Sequence, residues 1–406
     1  MISDDAKRTF RRENEAYVFS LKDLGLSFRV DRLRRERHEL NGELAVDCDM
    51  AGARTVGGSL SVADFNLSSL IARKSRAMHL QDRSRAPDVD WVGLIEELCQ
   101  RVLAEERAGT PSVSLRDIPR PTGDAAVSVL GVPLLLAHPM ILFGDGGSSK
   151  SYLALYMATE LARQGIRVGL LDWELDGGDH RVRLEAICGG AMPDIRYKRC
   201  DRPLVHMRDE VQRMVRVDRL GYLICDSIAF ACDTKPEDAE AAQRYLQTTR
   251  SAGVGSLHLA HISKAEGGDQ KPFGSAFWHN GARATWFVRA GEPDQDGRIV
   301  LALHNRKANL TARRVPQGVA VTFTEGSTTF ASMDLQDDPD AAAELPVPLR
   351  IRQAVKHIPL TRDAIAEELP DVTVQTLNRV LRREVQMGRL IRLPGVGDAE
   401  RFGVRA

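Results

Sequence analysis

Residues 138–151 read HPMILFGDGGSSKS, and the rest of the chain is organised around them. A short apolar run, Met140 to Phe143, stops at Gly144. Gly146 and Gly147 follow, then Ser148, Ser149, Lys150 and Ser151, and then apolar residues at helical spacing: Leu153, Leu155, Tyr156, Ala158 and Leu161. Strand, glycine-rich loop, Lys-Ser and helix is the order that cradles a nucleotide triphosphate. The backbone N–H groups of residues 144–152 (Gly144, Asp145, Gly146, Gly147, Ser148, Ser149, Lys150, Ser151, Tyr152) are expected to face phosphate oxygens. Lys150 reaches the β/γ-phosphates and the Ser151 hydroxyl holds Mg²⁺. Ser149 departs from the pattern, which has Gly directly before the Lys, where a Cβ crowds the phosphate. Against this stands the reading of an ordinary glycine-rich turn before a helix.

Further signals lie downstream. VGLL (168–171) is a buried strand ending in Asp172-Trp173-Glu174, and acidic residues at such a strand end lie near the phosphate loop. Glu174 is placed to activate a water; the bland alternative is that Asp172 and Glu174 only cap the strand. GYLICDS (221–227) runs into Asp226, the pattern in which an Asp holds Mg²⁺ beside the loop Ser. SLHLA (256–260) ends at His261, where a polar side chain would sense the γ-phosphate. Alternating strands and helices over 125–325 predict one α/β domain with a mostly parallel sheet.

The motifs GDGGSSKS (144–151), LLDWE (170–174), LICDS (223–227), LAHISK (259–264), FGSAFWHNGARATW (273–286) and RKAN (306–309) together resemble the RecA-like P-loop ATPases, and most closely the RepA-type hexameric replicative helicases of plasmids, phages and mobile elements. The resemblance implies a RecA core that hydrolyses ATP with Mg²⁺ at the interfaces of a homo-oligomeric ring, a hexamer by that analogy, with single-stranded DNA gripped in the ring. It makes Glu174 the catalytic base and His261 the sensor. Arg283 becomes a finger reaching a neighbour's site, with Arg306 or Lys307 a second cation there.

The flanks lie outside the resemblance. Residues 1–110 read as a β-rich and then helical accessory module, with strands at 17–21, 26–30, 44–48 and 60–62 and helices at 69–80 and 91–106. A charged connection over 31–39 carries Arg32, Arg34, Arg35 and Arg37, and Arg73, Lys74, Arg76, Arg83 and Arg85 follow. Nucleic-acid contact is one reading of these arginines; a solvated face or a subunit interface is the favoured one. Residues 111–123 and the acidic stretch 333–345 read as linkers. From 346 to 406 the pattern of three short helices and a hairpin turning at Pro394-Gly395 resembles a winged helix. Its third helix, from Thr373 to about Met387, is expected to present Arg379, Arg382 and Arg383 to duplex DNA, the alternative being a protein-contact module. The segment 267–280, with Lys271 and the aromatics Phe273, Phe277 and Trp278, is the candidate single-strand contact; the alternative is that these aromatics, Trp278 above all, pack the core beneath the loop.

Lys+Arg and Asp+Glu both number 56, so any basic surface must be local. The cysteines at 48, 99, 188, 200, 225 and 232 have neither zinc nor disulfide-framework spacing, and no run is apolar enough to span a membrane. The expected location is the cytoplasm. The sequence thus predicts an ATP-driven DNA helicase or translocase. The rival is a DNA-binding ATPase that regulates or loads replication or recombination proteins without unwinding, and a second rival is a regulator whose phosphate loop has decayed at Ser149.

Overall fold

The computed structural model describes residues 8–13, 16–109, 111–119, 125–262, 272–309, 313–338, 341–342, 345–394 and 400–404. The chain divides into two compact units, Met1–Arg120 and Pro121–Ala406.

In the first unit, β1 (Arg8–Glu13), β2 (Ala16–Leu21), β3 (Leu26–Glu36), β4 (Glu39–Cys48) and β5 (Ser59–Asn66) form an antiparallel meander in sequence order. Alternation puts Tyr17, Phe19, Phe28, Val30, Leu44 and Val46 on one face. There they pack against Leu80 of α1 (Leu70–Ser84) and against Ile95, Leu98 and Val102 of α2 (Trp91–Ala108). The charged stretch 31–39 is not the expected connection. It continues β3 into a tight hairpin, with a bulge between Asp31 and Arg34. Its arginines are engaged within the unit: Arg34 with Asp64 at 2.6 Å, Arg32 with Glu43 at 3.0 Å, and Arg35 with the Glu106 carbonyl at 2.7 Å. Arg73 likewise bonds Glu96 at 2.7 Å, and Arg76 bonds Ser61 at 2.7 Å.

The second unit opens with a hairpin, β6 (Ala126–Val129) and β7 (Val132–Leu135). Then come β8 (Pro139–Gly144), α3 (Lys150–Arg163), β9 (Val168–Asp172), α4 (Gly177–Cys188), β10 (Ile195–Arg199), α5 (Arg208–Val217) and β11 (Tyr222–Asp226). They are followed by α6 (Ile228–Ala231), α7 (Ala239–Ser251), β12 (Gly255–His261), α8 (Ala276–Gly281), β13 (Ala284–Ala290), β14 (Arg298–Ala308), β15 (Gln317–Thr324) and β16 (Ser327–Met333). One nine-stranded sheet has the order β10-β9-β11-β12-β8-β13-β14-β15-β16. Pairing is parallel from β10 to β13 and antiparallel beyond it. β8 lies inside the sheet and all six of its residues are buried, which is why it reads as an unbroken apolar run. Apolar cores fill both faces, one under α3 and one under α5 and α7. The β15–β16 hairpin packs on α3, with Phe330 stacked on Tyr156 at 4.4 Å.

Two expected boundaries shift. The sheet runs past residue 325, because β16 extends to Met333. The stretch 333–345 is not a free linker, since Leu335, Ala341 and Leu345 are buried against Val300 and Ala302 of β14. Beyond it, α9 (Val347–Ala354), β17 (Leu360–Thr361), α10 (Arg362–Glu368), α11 (Val374–Gln386), β18 (Ile391–Leu393) and β19 (Arg401–Gly403) enclose Ile351, Ile365, Leu377, Leu381 and Phe402. The three short strands pair in the order β17-β19-β18. Gly395 of the expected turn lies outside the described residues. Among the described residues, no helix is long and apolar enough to cross a membrane.

Candidate active site

The loop between β8 and α3 is fixed by its neighbours. A side chain at Gly144 would run into the Val288 carbonyl of β13, so only glycine fits there. Gly147 has φ +76°. Ser148 is buried and donates its hydroxyl to the Asp145 carbonyl at 2.7 Å, closing the loop on itself. Ser149, in the position that departs from the glycine pattern, has φ +57° and ψ +20°, and its side chain makes no capping bond. Lys150 begins α3 and is 8% exposed. Its Nζ donates to the Gly144 carbonyl at 3.1 Å, the Asp145 carbonyl at 2.5 Å and the Ser148 hydroxyl at 3.2 Å.

The cleft above this loop has a volume of about 280 Å³, and Gly147, Ser148, Ser149, Lys150, Ser151, Tyr152, Glu174, Asp226 and His261 line it. Three parallel strands deliver the acids and the histidine: Asp226 closes β11, His261 closes β12, and Glu174 follows β9 by two residues. Burial pushes the Lys150 pKa down, while Asp226, Glu174 and Asp145 push it back up. Burial raises the Asp226 pKa; a hydrogen bond with Ser151 opposes that rise, and Glu174 adds to it. A carboxylate disfavoured by its own burial, beside a hydroxyl and a second acid, is a fitting seat for a divalent cation. No group of three or more His, Cys, Asp or Glu among the described residues is placed to hold a metal by itself. A hard cation here would therefore take most of its oxygens from phosphate and water, which is how Mg²⁺ is usually held.

Arg183, which no sequence motif marks, also lines the cleft. It reaches in from α4, and its guanidinium lies 4.6 Å from the centre of the Tyr152 ring. Tyr152 in turn meets Phe323 of β15 edge to face at 5.1 Å. The local pattern of α4 does not reveal this arginine, because its place depends on where the helix packs.

Arg283, Arg306 and Lys307 are not in this cleft. Ala284 pairs with Met140, and the Arg283 backbone N–H donates to the Pro139 carbonyl at 3.0 Å, so Arg283 sits at the start of β8. Five residue steps along that strand separate it from the loop by roughly 16 Å. β14 runs antiparallel to β13, which brings Lys307 to the same end beside Thr285. Its Nζ donates to the carbonyls of His279 at 2.9 Å and Asn280 at 2.6 Å. Burial lowers the Lys307 pKa, and Arg283 and Arg250 lower it further. Arg306 lies 5.5 Å over the Phe287 ring.

Lys271 lies outside the described residues. Of its expected aromatic companions, Trp278 is fully buried and donates its indole N–H to the Pro236 carbonyl at 2.8 Å, so it packs the core and cannot stack on a base. Phe273 and Phe277 remain exposed. The Phe273 N–H donates to the His261 carbonyl at 2.7 Å, tying that segment to the end of β12. On α11, Arg379, Arg382 and Arg383 are set opposite a buried face of Leu377, Val380 and Leu381.

No protein-family model matches the chain, and no curated protein matches it in sequence. Solved structures similar to part of it include the KaiC-like protein PH0186 from the hyperthermophilic archaeon Pyrococcus horikoshii OT3, 14% identical over 49% of this chain and 91% of that one, with a TM-score of 0.38. Another is a separately solved ATPase domain, 11% identical over 49% of this chain and 85% of that one, with a TM-score of 0.40.

Proposed function

We propose that this chain is a RecA-like P-loop ATPase that hydrolyses ATP with Mg²⁺ in a ring of identical subunits. The ring acts as a DNA helicase or translocase in the replication of a plasmid, phage or mobile element. One observation carries the chemical half of this reading: Lys150 and Ser151 of the loop and Glu174, Asp226 and His261 from three separate strand ends line one cleft.

The chemistry follows from the residues. Lys150 exchanges the carbonyls of Gly144 and Asp145 for β/γ-phosphate oxygens, so loop hydrogen bonds are traded rather than created. Ser151 and Asp226 are the groups to hold Mg²⁺, which supplies charge neutralisation at the phosphates when bound. Glu174 accepts a proton from the attacking water as that oxygen bonds to the γ-phosphorus. The β,γ-bridging P–O bond breaks and its electron pair leaves with ADP. His261 is read as the sensor of the γ-phosphate; the bond from the Phe273 N–H to its carbonyl supports a link from there to the following segment. Arg283 and Lys307 sit at the far end of the strands from their own cleft, and Arg306 does not line it, which supports a role for Arg283, with Arg306 or Lys307, in a neighbour's site. The C-terminal module is read as a winged helix that holds duplex DNA through Arg379, Arg382 and Arg383.

Paired variants test the chemistry. Lys150→Ala should abolish nucleotide binding, whereas Glu174→Gln should bind ATP and lose turnover. Parental hydrolysis by Glu174→Gln would show that the base has been misassigned. ATP turnover stimulated by single-stranded DNA but without strand displacement would favour the non-unwinding regulator or loader instead.

A further inference from the structure

Behind Glu174 lies a carboxylate that the reaction does not consume. Asp172, the last residue of β9, has no exposed side-chain surface. Its Oδ1 accepts two backbone N–H groups, from Glu174 at 2.9 Å and from Leu175 at 3.0 Å. Its Oδ2 accepts the Tyr197 hydroxyl at 3.0 Å and faces the Arg199 guanidinium and His180 Nε2, each at 3.5 Å. Arg199 also bonds the Leu175 carbonyl. The turn is tied from the other side by the Trp173 N–H, which donates to the Asp226 carbonyl at 2.7 Å. The backbone that carries Glu174 is therefore held on both flanks, once by the strand of Asp226 and once by the buried Asp172 anion.

We propose that Asp172 is a positioning residue: its carboxylate, oriented by Tyr197 and Arg199 of β10, fixes the turn that aims the Glu174 carboxylate into the phosphate cleft. This rests on the reading of Glu174 as the base. A plain strand cap would need one accepted N–H. Here one oxygen takes two consecutive N–H groups on the catalytic side, and the other oxygen is engaged by a neighbouring strand. Hydrogen bonds to an ionised acceptor are the strong kind, so they hold the geometry that the proton transfer needs. Positioning errors near 1 Å can cost on the order of 10²-fold in rate.

The test measures kcat, KM and nucleotide affinity for Asp172→Ala, Asp172→Asn, Tyr197→Phe and Glu174→Gln in the full chain. Asp172→Ala is expected to lose on the order of 10²-fold in kcat, with nucleotide affinity within about twofold of the parent. Asp172→Asn keeps one acceptor oxygen and should recover part of that loss. Tyr197→Phe leaves the turn bonds in place and should cost about tenfold, the lower end of what one hydrogen bond to an ionised group is worth; it reads the same effect should Asp172→Ala not fold. In the Glu174→Gln background, Asp172→Asn should add almost nothing, because it acts through that side chain. Glu174→Gln with parental turnover overturns the base reading itself. Loss of turnover in Glu174→Gln together with parental kcat in Tyr197→Phe and Asp172→Asn overturns the positioning role alone. So does a loss expressed as nucleotide affinity instead of kcat.

Discussion

Ser149→Gly should stabilise the second unit and leave nucleotide binding intact or tighter. The residue has φ +57° and ψ +20°, a left-handed conformation, at the point where the loop enters α3. For an L-residue that conformation costs about 1–2 kcal/mol, because Cβ crowds the following carbonyl. Glycine removes that cost and adds about 0.5–1 kcal/mol of backbone entropy lost on folding. The Ser149 side chain makes no capping bond, so the exchange forfeits nothing there. The difference is roughly 0.5–1 kcal/mol in favour of glycine, a shift of about 1–3 °C for a unit of this size. Thermal unfolding with and without ATP and Mg²⁺, together with a nucleotide titration, reads both consequences. Ser149→Val should move the other way, since a β-branched residue is still less tolerant of positive φ. A glycine variant that melts lower than the parent, or binds ATP more weakly, would refute the idea that this serine is strained. Its side chain would then have to stabilise the nucleotide-bound state directly.

Mixing Lys150→Ala subunits with Arg283→Ala subunits should restore part of the ATP turnover, because a composite site can then be whole. Recovery should be absent if Arg283 serves its own cleft. A finger cation of this kind can be worth about 10³-fold or more. Burial alone would raise the Asp172 pKa, but the nearby His180 imidazole and hydrogen bonds from the Leu175 and Glu174 backbones outweigh it and hold it at about 2. That depressed value gives stability above the unfolded carboxyl pKa of about 3.9, lost as pH falls toward 2, so acid unfolding of Asp172→Asn should be flatter across that window. Replacing Arg379, Arg382 and Arg383 by Ala should weaken duplex binding and reduce its log–log salt slope by about 0.9 for each phosphate no longer neutralised, with single-strand-stimulated ATPase unchanged. Equal duplex affinity in that variant would leave α11 without a role on DNA.

The parts legible in the sequence are those whose signal is local. β8, its loop and α3 announce themselves because a strand buried on both faces is a continuous apolar run and the loop needs glycine at Gly144. The strand ends at Asp226 and His261 are legible for the same reason. What is not legible depends on distant partners. Asp172 and Glu174 look alike in sequence, and the partners that set the first apart, such as the Tyr197 hydroxyl 25 residues away, are brought to it by the fold. Residues 31–39 look like a charged connection because β3 and β4 extend as a ribbon whose arginines pair across strands instead of packing in a core. Leu335, Ala341 and Leu345 are too widely spaced in an acidic stretch to betray their burial on β14. Trp278 and Phe277 are neighbours in sequence, yet one is enclosed and the other exposed, a difference set by the helix turn between them.

The separation of the cleft from Arg283 and Lys307, at opposite ends of the same strands, limits how copies of this chain can work together. Cations at one end can serve a cleft at the other through a head-to-tail joint, the kind that closes into a ring or extends as an open row. A head-to-tail joint leaves a donor surface unused at one end of any open row and a cleft unserved at the other. An open row of n subunits then has n − 1 complete sites, whereas a closed ring has n. Turnover per subunit should therefore climb with protein concentration and level off at closure. In the proposed ring, opening one joint would switch off one site for as long as the gap persists.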